Sequence, residues 1–289
     1  MTGVRRTAAV AALLSFVGLA LGCRAWGPKL ELPDDPEEAA QNSAVGSRAL
    51  LRANQTELEL AAWQPAVQSL VDALGDGIDP ASAQTVRAAV RRAYGAQRLF
   101  DRVATSLSDD WDPEAARAHF AFLDSGVGHS LMRARLLRRD PKTAERFAEW
   151  SRGYSLSHFP RARVELLQRL DRALLTSRGA VLVNRALVDG ALSALVDNTS
   201  GAEAAGFRSL RERAAREESQ MYPVVADDLL RWQLFAYESL SDDDLTLYAE
   251  FAESPAGQWY VVASARAQRI AANGAGEELF QALRPRGGL

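Results

Sequence analysis

FLDSGVGHSL at residues 122–131 and FAESPAGQWY at residues 251–260 share the frame Phe-x-acid-Ser-x-x-Gly. A serine at this point caps the start of a helix, a proline suits the first helical position, and a glycine leaves room for a close backbone approach. The frame therefore predicts a tight corner between two helices, and a structural role is expected ahead of a binding one. The motif residues are Phe122, Ser125 and Gly128 in the first stretch, and Phe251, Ser254, Pro255 and Gly257 in the second.

The corner motif is the last of four segments that occur twice in the same order. The segments before the corners are LLRAN (50–54), SLVDAL (69–74) and SLSDD (106–110), and LLQRL (166–170), ALVDGAL (186–192) and SLSDDD (239–244). Recurrence in a fixed order indicates an internal duplication. The sequence predicts two copies, at residues 45–157 and 158–289, that join near HFPRARV at 158–164.

Helix signals run through most of the chain after about residue 45. Asp79-Pro80, Asp112-Pro113 and Asp140-Pro141 each place a capping carboxylate before a proline. The run from Thr85 to Leu107 carries an apolar residue every three to five positions, as one face of a helix does. Asn273-Gly274 is expected to end a helix after ARAQRIAA. Because alternating β-branched runs are rare, the sequence predicts an all-α fold of two tandem multi-helix units.

The N-terminus has the pattern of an export signal. Arg5 and Arg6 precede an apolar run from Ala8 to Leu21, which is too short to span a bilayer. Cys23, the only cysteine of the chain, follows at once. This arrangement resembles the lipobox of bacterial lipoproteins, although Ala20 stands where that family usually has leucine. The resemblance implies a signal peptide at residues 1–22 and lipidation of Cys23; the alternative is an incidental buried cysteine.

Residues 23–44 are rich in proline and acidic residues and are expected to form a flexible tether. Arg24, rather than aspartate, follows the cysteine, which by resemblance to Gram-negative lipoproteins implies the outer membrane, with the folded body in the periplasm. No run after Leu21 is expected to be long and apolar enough to cross a membrane.

The composition and the spacing of polar residues argue against nucleic-acid binding, metal binding and nucleotide cofactors. The net charge of −3 gives no basic field for nucleic acid. The acid clusters at 109–112 and 242–244 lack the spacing of a calcium loop, and no two histidines have the i, i+4 spacing of a helical zinc site. No phosphate-binding or dinucleotide loop is present. We therefore expect no metal site and no cofactor. Catalytic residues stay unknown, since the members of a Ser-His-Asp triad come together in space and not in sequence.

A cluster of arginines follows the first corner. Its members are Arg133, Arg135, Arg138 and Arg139. Arginines near the end of a helix complement the helix dipole, and this is the preferred interpretation. The alternative is a basic patch for lipid headgroups or an acidic partner.

SDDDLTLYAEFAESPAGQ, at 241–258, resembles the signature of the bacterial family called domain of unknown function 2059. That family comprises exported, mostly helical proteins without an assigned activity. This chain departs from the signature at Ala252 and Trp259, and its first copy has Gly126 in place of the proline. The resemblance implies a helical protein of the cell envelope.

These features favour a non-enzymatic interaction module, held on the membrane through Cys23 and contacting an envelope protein during envelope assembly or maintenance. The alternative is a carrier of a small molecule or lipid, or an enzyme, with its site in a cleft between the two copies. A polar constellation in an apolar cavity would favour the alternative. An exposed apolar face would favour protein contact.

Overall fold

A computed structural model describes residues 32–72, 80–137 and 141–284. The prediction of an all-α fold is confirmed, and no strand occurs within these ranges. The α-helices are α1 Pro36–Gln41, α2 Ser43–Ala53, α3 Thr56–Ala61, α4 Trp63–Asp72, α5 Pro80–Ala93, α6 Ala96–Asp109, α7 Pro113–Leu123, α8 Gly126–Leu136, α9 Pro141–Arg152, α10 Arg161–Leu174, α11 Thr176–Asn198, α12 Gly201–Ala236, α13 Asp242–Glu253 and α14 Pro255–Leu283. A short 3₁₀ turn covers Leu156–His158.

Two large apolar cores lie side by side. The first is built mainly by α1–α7 together with α11 and α14, and the second mainly by α8, α10, α13 and the end of α12, with α9 against it. Helix α14 belongs to the predicted second copy, and α8 and α9 belong to the predicted first. The division at residues 157 and 158 therefore does not separate the two cores, and the duplication itself stays a prediction.

A backbone kink recurs at matching places in the two predicted copies. Gln55, between α2 and α3, and Leu175, between α10 and α11, adopt the left-handed conformation with φ of 60° and 50°. Each is followed by a threonine that starts the next helix. Such a φ is uncommon outside glycine and carries strain. This is a further recurrence in the order that the sequence segments follow.

Helix α11 occupies the middle of the fold, between α12 and α14. Gly190 and Gly276 let α11 and α14 approach so closely that a Cβ on Gly276 would lie 2.8 Å from the Cα of Gly190. By length and composition α11 could cross a membrane, with a mean hydropathy of 1.5. The expectation that no run after Leu21 meets that test is wrong, since this helix meets it while it packs against α12 and α14.

Two details of the helices differ from the sequence prediction. The apolar positions between Thr85 and Leu107 are buried, but they lie on two helices, because Gly95 takes an extended conformation between α5 and α6. Conversely, α14 continues through Asn273-Gly274, which were expected to end it. Ala271, Ala272 and Ala275 are fully buried there, so tertiary packing overrides the local stop signal.

Part of the predicted tether, residues 23–44, is helical. Asp35 caps α1 by accepting hydrogen bonds from the N–H groups of Glu37 and Glu38 at 3.0 and 2.9 Å, and Pro36 takes the first helical position. Ala39 and Ala40, both on α1, are buried. The composition suggested a solvated segment, but an Asp-Pro helix start and two alanines suffice to dock one short helix on the body.

Candidate functional site

The two corner motifs have the same internal geometry. At the first, Ser125 Oγ accepts the N–H of Gly128 at 3.0 Å and donates to the carbonyl of Phe122 at 2.7 Å. At the second, Ser254 Oγ accepts the N–H of Gly257 at 3.2 Å and donates to the carbonyl of Phe251 at 2.6 Å. Each serine thus caps one helix and ties it to the last turn of the helix before.

Both motif glycines stand where no side chain fits. A Cβ on Gly128 would lie 2.2 Å from the carbonyl oxygen of Phe122, and a Cβ on Gly257 would lie 2.2 Å from that of Phe251. Real Cβ atoms do not come so close to backbone oxygens. Glycine is therefore required by the sharpness of the corner. Pro255 occupies the first position of α14, where its missing N–H costs nothing.

The corners pack against one another. The rings of Phe122 and Phe251 stack with 3.9 Å between centroids and 2° between planes. Tyr248 lies parallel to Phe122 at 5.9 Å, and His119 meets Phe251 edge-on at 5.1 Å. The repeated motif therefore joins the two cores at a common aromatic contact, and its residues serve the packing of the protein.

A polar cluster lies beside this aromatic contact. Arg135, on α8, donates to Asn54 Oδ1 at 2.8 Å and to the hydroxyl of Tyr248 at 2.6 Å. Its guanidinium also lies 5.9 Å from the centre of the Tyr248 ring. Asn54 Nδ2 in turn donates to the Leu50 carbonyl at 2.9 Å. Neutral oxygens thus solvate a half-buried cation, which links α2, α8 and α13.

His119 completes the cluster in the neutral form. Burial and the nearby charge of Arg135 lower the pKa of His119 to about 3. Arg135 binds the amide oxygen of Asn54, so the amide nitrogen faces His119 Nε2 at 3.3 Å and must donate to it. The ring proton then sits on Nδ1, which has no hydrogen-bond partner among the described residues. An unsatisfied buried donor costs about 1–3 kcal/mol.

The predicted basic patch is not a single surface. Arg133 is exposed and donates to Ser130 Oγ at 2.9 Å, whereas Arg135 turns inward to the polar cluster. Arg138 and Arg139 lie outside the described residues. Residues 133 and 135 are two positions apart on a helix, so they cannot share one face, and Arg135 does not belong to a surface patch.

The acid clusters start helices. Asp112 caps α7 by accepting the N–H groups of Glu114 and Ala115 at 3.0 Å, and Ser241 and Asp244 form a reciprocal capping box at α13. Over the described ranges, no group of three or more His, Cys, Asp or Glu side chains is placed to hold a metal ion. Cys23 precedes the first described residue.

A half-open cleft runs between α11 and α12, with a volume of about 280 Å³. Its floor is apolar and its rim polar, with Arg185, Asp189, Arg211, Glu212 and Glu217 at the edge. A smaller cleft of about 160 Å³ adjoins it along α12, since both are lined by Glu217 and Met221. Most lining residues belong to the predicted second copy, and Leu70 is the contribution of the first.

The polar cluster and the cleft could not be found from sequence patterns. Asn54, Arg135 and Tyr248 lie far apart in the chain, and Arg211 lies in an ordinary charged stretch of α12. No family model, curated protein or solved structure matches this chain. The resemblance of residues 241–258 to the family named above stays a prediction.

Proposed function

We propose that this chain is a lipid-anchored helical protein of the bacterial envelope that works by contacting another envelope protein, without catalysis of its own. Lipidation of Cys23 holds it on the membrane, on the outer membrane facing the periplasm. Support for the anchor comes from the sole cysteine at the end of an apolar export signal.

The observation that carries protein contact is an exposed apolar segment on α11 and α12. Between the two large cores, these helices share only a small cluster of Val181, Met221, Val225 and Leu229. Beside it along the chain, Leu182 and Tyr222 are 48% and 46% exposed. Exposed large apolar side chains next to such a cluster are typical of an interaction surface.

The start of α1 limits how far this contact can lie from the anchor. Twelve residues, 24–35, separate Cys23 from the beginning of α1 at Pro36, and a chain of that length cannot reach further than about 40 Å. We therefore expect the partner to lie at or in the membrane.

A second candidate function is a carrier of a small molecule or lipid. The cleft between α11 and α12 is the observation that favours it, since ligand pockets are concave, mostly apolar and edged by a few polar groups. The cleft lies within the predicted second copy more than between copies. The sequence alone suggested a cleft between the copies, whereas the cleft favoured here is lined mostly by the second copy.

Cross-linking in intact cells tests the protein contact. We expect a photoreactive benzoylphenylalanine at position 222 to form a discrete covalent adduct with one envelope protein. The same residue at position 247 is the control, because Leu247 is 52% exposed on α13 and lies away from the segment. Adducts of equal yield and identity at both positions, or none at 222, would refute the proposed surface.

Metabolic labelling tests the anchor. With a fatty-acid analogue in the medium, the wild-type chain should incorporate label, and Cys23→Ala should incorporate none and leave the membrane fraction. The reason is that the chain contains no other cysteine to receive the lipid. Equal labelling of the two chains would show that the cysteine is incidental.

A further inference from the structure

We infer that the cleft between α11 and α12 binds one long-chain fatty acid, with its carboxylate at Arg211 and its chain along α12. The inference rests on the second candidate function and deepens it, since it names the ligand class of the same cleft, which shares Met221 and Val225 with the small cluster beside the proposed contact surface. Three properties of the cleft support the inference: its apolar floor, its length and the weakly bonded, half-buried guanidinium of Arg211.

The floor suits a hydrocarbon. It is formed by Leu70, Val188, Leu192, Leu210, Ala214 and Met221. Apolar surface that leaves water on binding contributes about 25 cal/mol per Å², and Asn184 is the one uncharged polar residue among the described lining of the main cleft. A polar or highly charged metabolite would gain nothing from such a surface.

The length suits a single extended chain. The main cleft and its smaller continuation follow α12 from Leu210 to Val225. Fifteen residue steps at about 1.5 Å each cover roughly 22 Å. One acyl chain spans half of a bilayer core of about 30 Å, or roughly 15 Å. A groove of this length accommodates the chain and its head group, whereas a compact ligand would leave much of it empty.

Arg211 provides a positive charge at one end of the groove. The residue is half-buried, and among the described residues its hydrogen bond is a long one, 3.4 Å to Ser193 Oγ. Three other charges of the main rim have an ion partner: Arg185 meets Asp189 at 3.5 Å, and Glu212 meets Arg216 at 3.9 Å. A partly desolvated cation without a carboxylate is unfavourable, and a carboxylate can receive two parallel hydrogen bonds from its guanidinium.

Glu217 fixes the orientation. It lies six residues beyond Arg211, about 9 Å along α12, where the two clefts meet. Its carboxylate repels a second anion at that point. The head of the fatty acid therefore belongs at the Arg211 end, and the chain passes beneath Glu217 along Ala214, Met221 and Val225.

Fluorescence binding of cis-parinaric acid, a naturally fluorescent fatty acid, tests the assignment. The chain beginning at residue 24 retains every described helix and is the protein to use. We expect saturable binding, displaced by laurate about tenfold more effectively than by 1-dodecanol, which has the same chain without the charge. Absence of saturable binding, or equal displacement by both competitors, would overturn the assignment.

Two variants and a matched control locate the site. Arg211→Gln should weaken laurate about tenfold and leave dodecanol unchanged, while Arg208→Gln, an exposed arginine one turn earlier on α12, should change neither. Ala214→Phe should exclude both ligands by filling the cleft, with its denaturation midpoint measured to show that it folds. An equal loss in the Arg208 and Arg211 variants, or undiminished binding by folded Ala214→Phe, would overturn the site. A lost fatty-acid site with a persisting adduct at position 222 would leave the proposed function standing.

Discussion

Replacing Gly257 by alanine is expected to lower the free energy of unfolding by about 3 kcal/mol, near the upper end of the usual cost of overpacking. The added methyl would lie 2.2 Å from the Phe251 carbonyl oxygen and 2.9 Å from the Cα of Ala252. These are backbone atoms, so relief requires the corner to open. Opening the corner would also displace Phe251 from its stack on Phe122. Chemical denaturation of the soluble chain measures the effect.

Gly179→Ala is the matched control. Gly179 lies inside α11, and a Cβ there meets no atom within 4 Å. Alanine in a helix is favoured over glycine by about 0.5–1 kcal/mol, so this variant should be slightly more stable than the wild type. The same chemical change thus has opposite signs at the two positions. If both variants denature at the same midpoint, the corner is looser than the structure shows.

Arg135→Met is expected to lower the free energy of unfolding by a similar amount, about 3 kcal/mol. Hydrogen bonds to a charged group contribute about 1.5–3 kcal/mol, and a buried acceptor left unsatisfied costs more than the bond gained. Methionine retains part of the side-chain volume but leaves Asn54 Oδ1 and the Tyr248 hydroxyl without their donor. The loss should appear in the denaturation midpoint with an unchanged slope.

Arg133→Met provides the comparison on the same helix. Arg133 is exposed and bonded to Ser130 Oγ, so its replacement should change stability by less than about 0.5 kcal/mol. Tyr248→Phe, combined with Arg135→Met in a double-mutant cycle, isolates the 2.6 Å hydrogen bond. Equal effects of the two arginine variants, or strict additivity in the cycle, would show that the hydrogen bond between Arg135 and Tyr248 does not stabilise the contact between the corners.

Local signals in the sequence were sufficient for several of the helix starts. The caps at Ser125, Ser241 and Ser254 involve residues three positions apart, so the chemistry that forms them is visible in a single stretch of chain. The same reasoning applied to Asp35-Pro36 would have found α1. The composition around it, rich in proline and acids, gave the opposite prediction because it averages over a short helix.

Partners between helices could not be predicted in this way. An apolar stripe shows that a helix has a buried face, but it does not identify the helix that covers it. For this reason the covering of the first core by α14 was not foreseen. The inward position of Arg135 was missed for a related reason, since Asn54 and Tyr248 approach it only in the folded chain. The groove at Arg211 likewise depends on how α11 and α12 separate.

The contribution of α14 to the first core has a consequence for the order of folding. Helices α2–α7 cannot enclose Val90, Leu99 and Val103 until the last helix arrives. Domains usually fold from the N-terminus as they are synthesised. Here one of the helices that cover the first core is α14, which is synthesised last, at residues 255–283. Contacts of such long sequence separation form slowly. We therefore expect the first core of a nascent chain to stay incomplete until α14 has been synthesised.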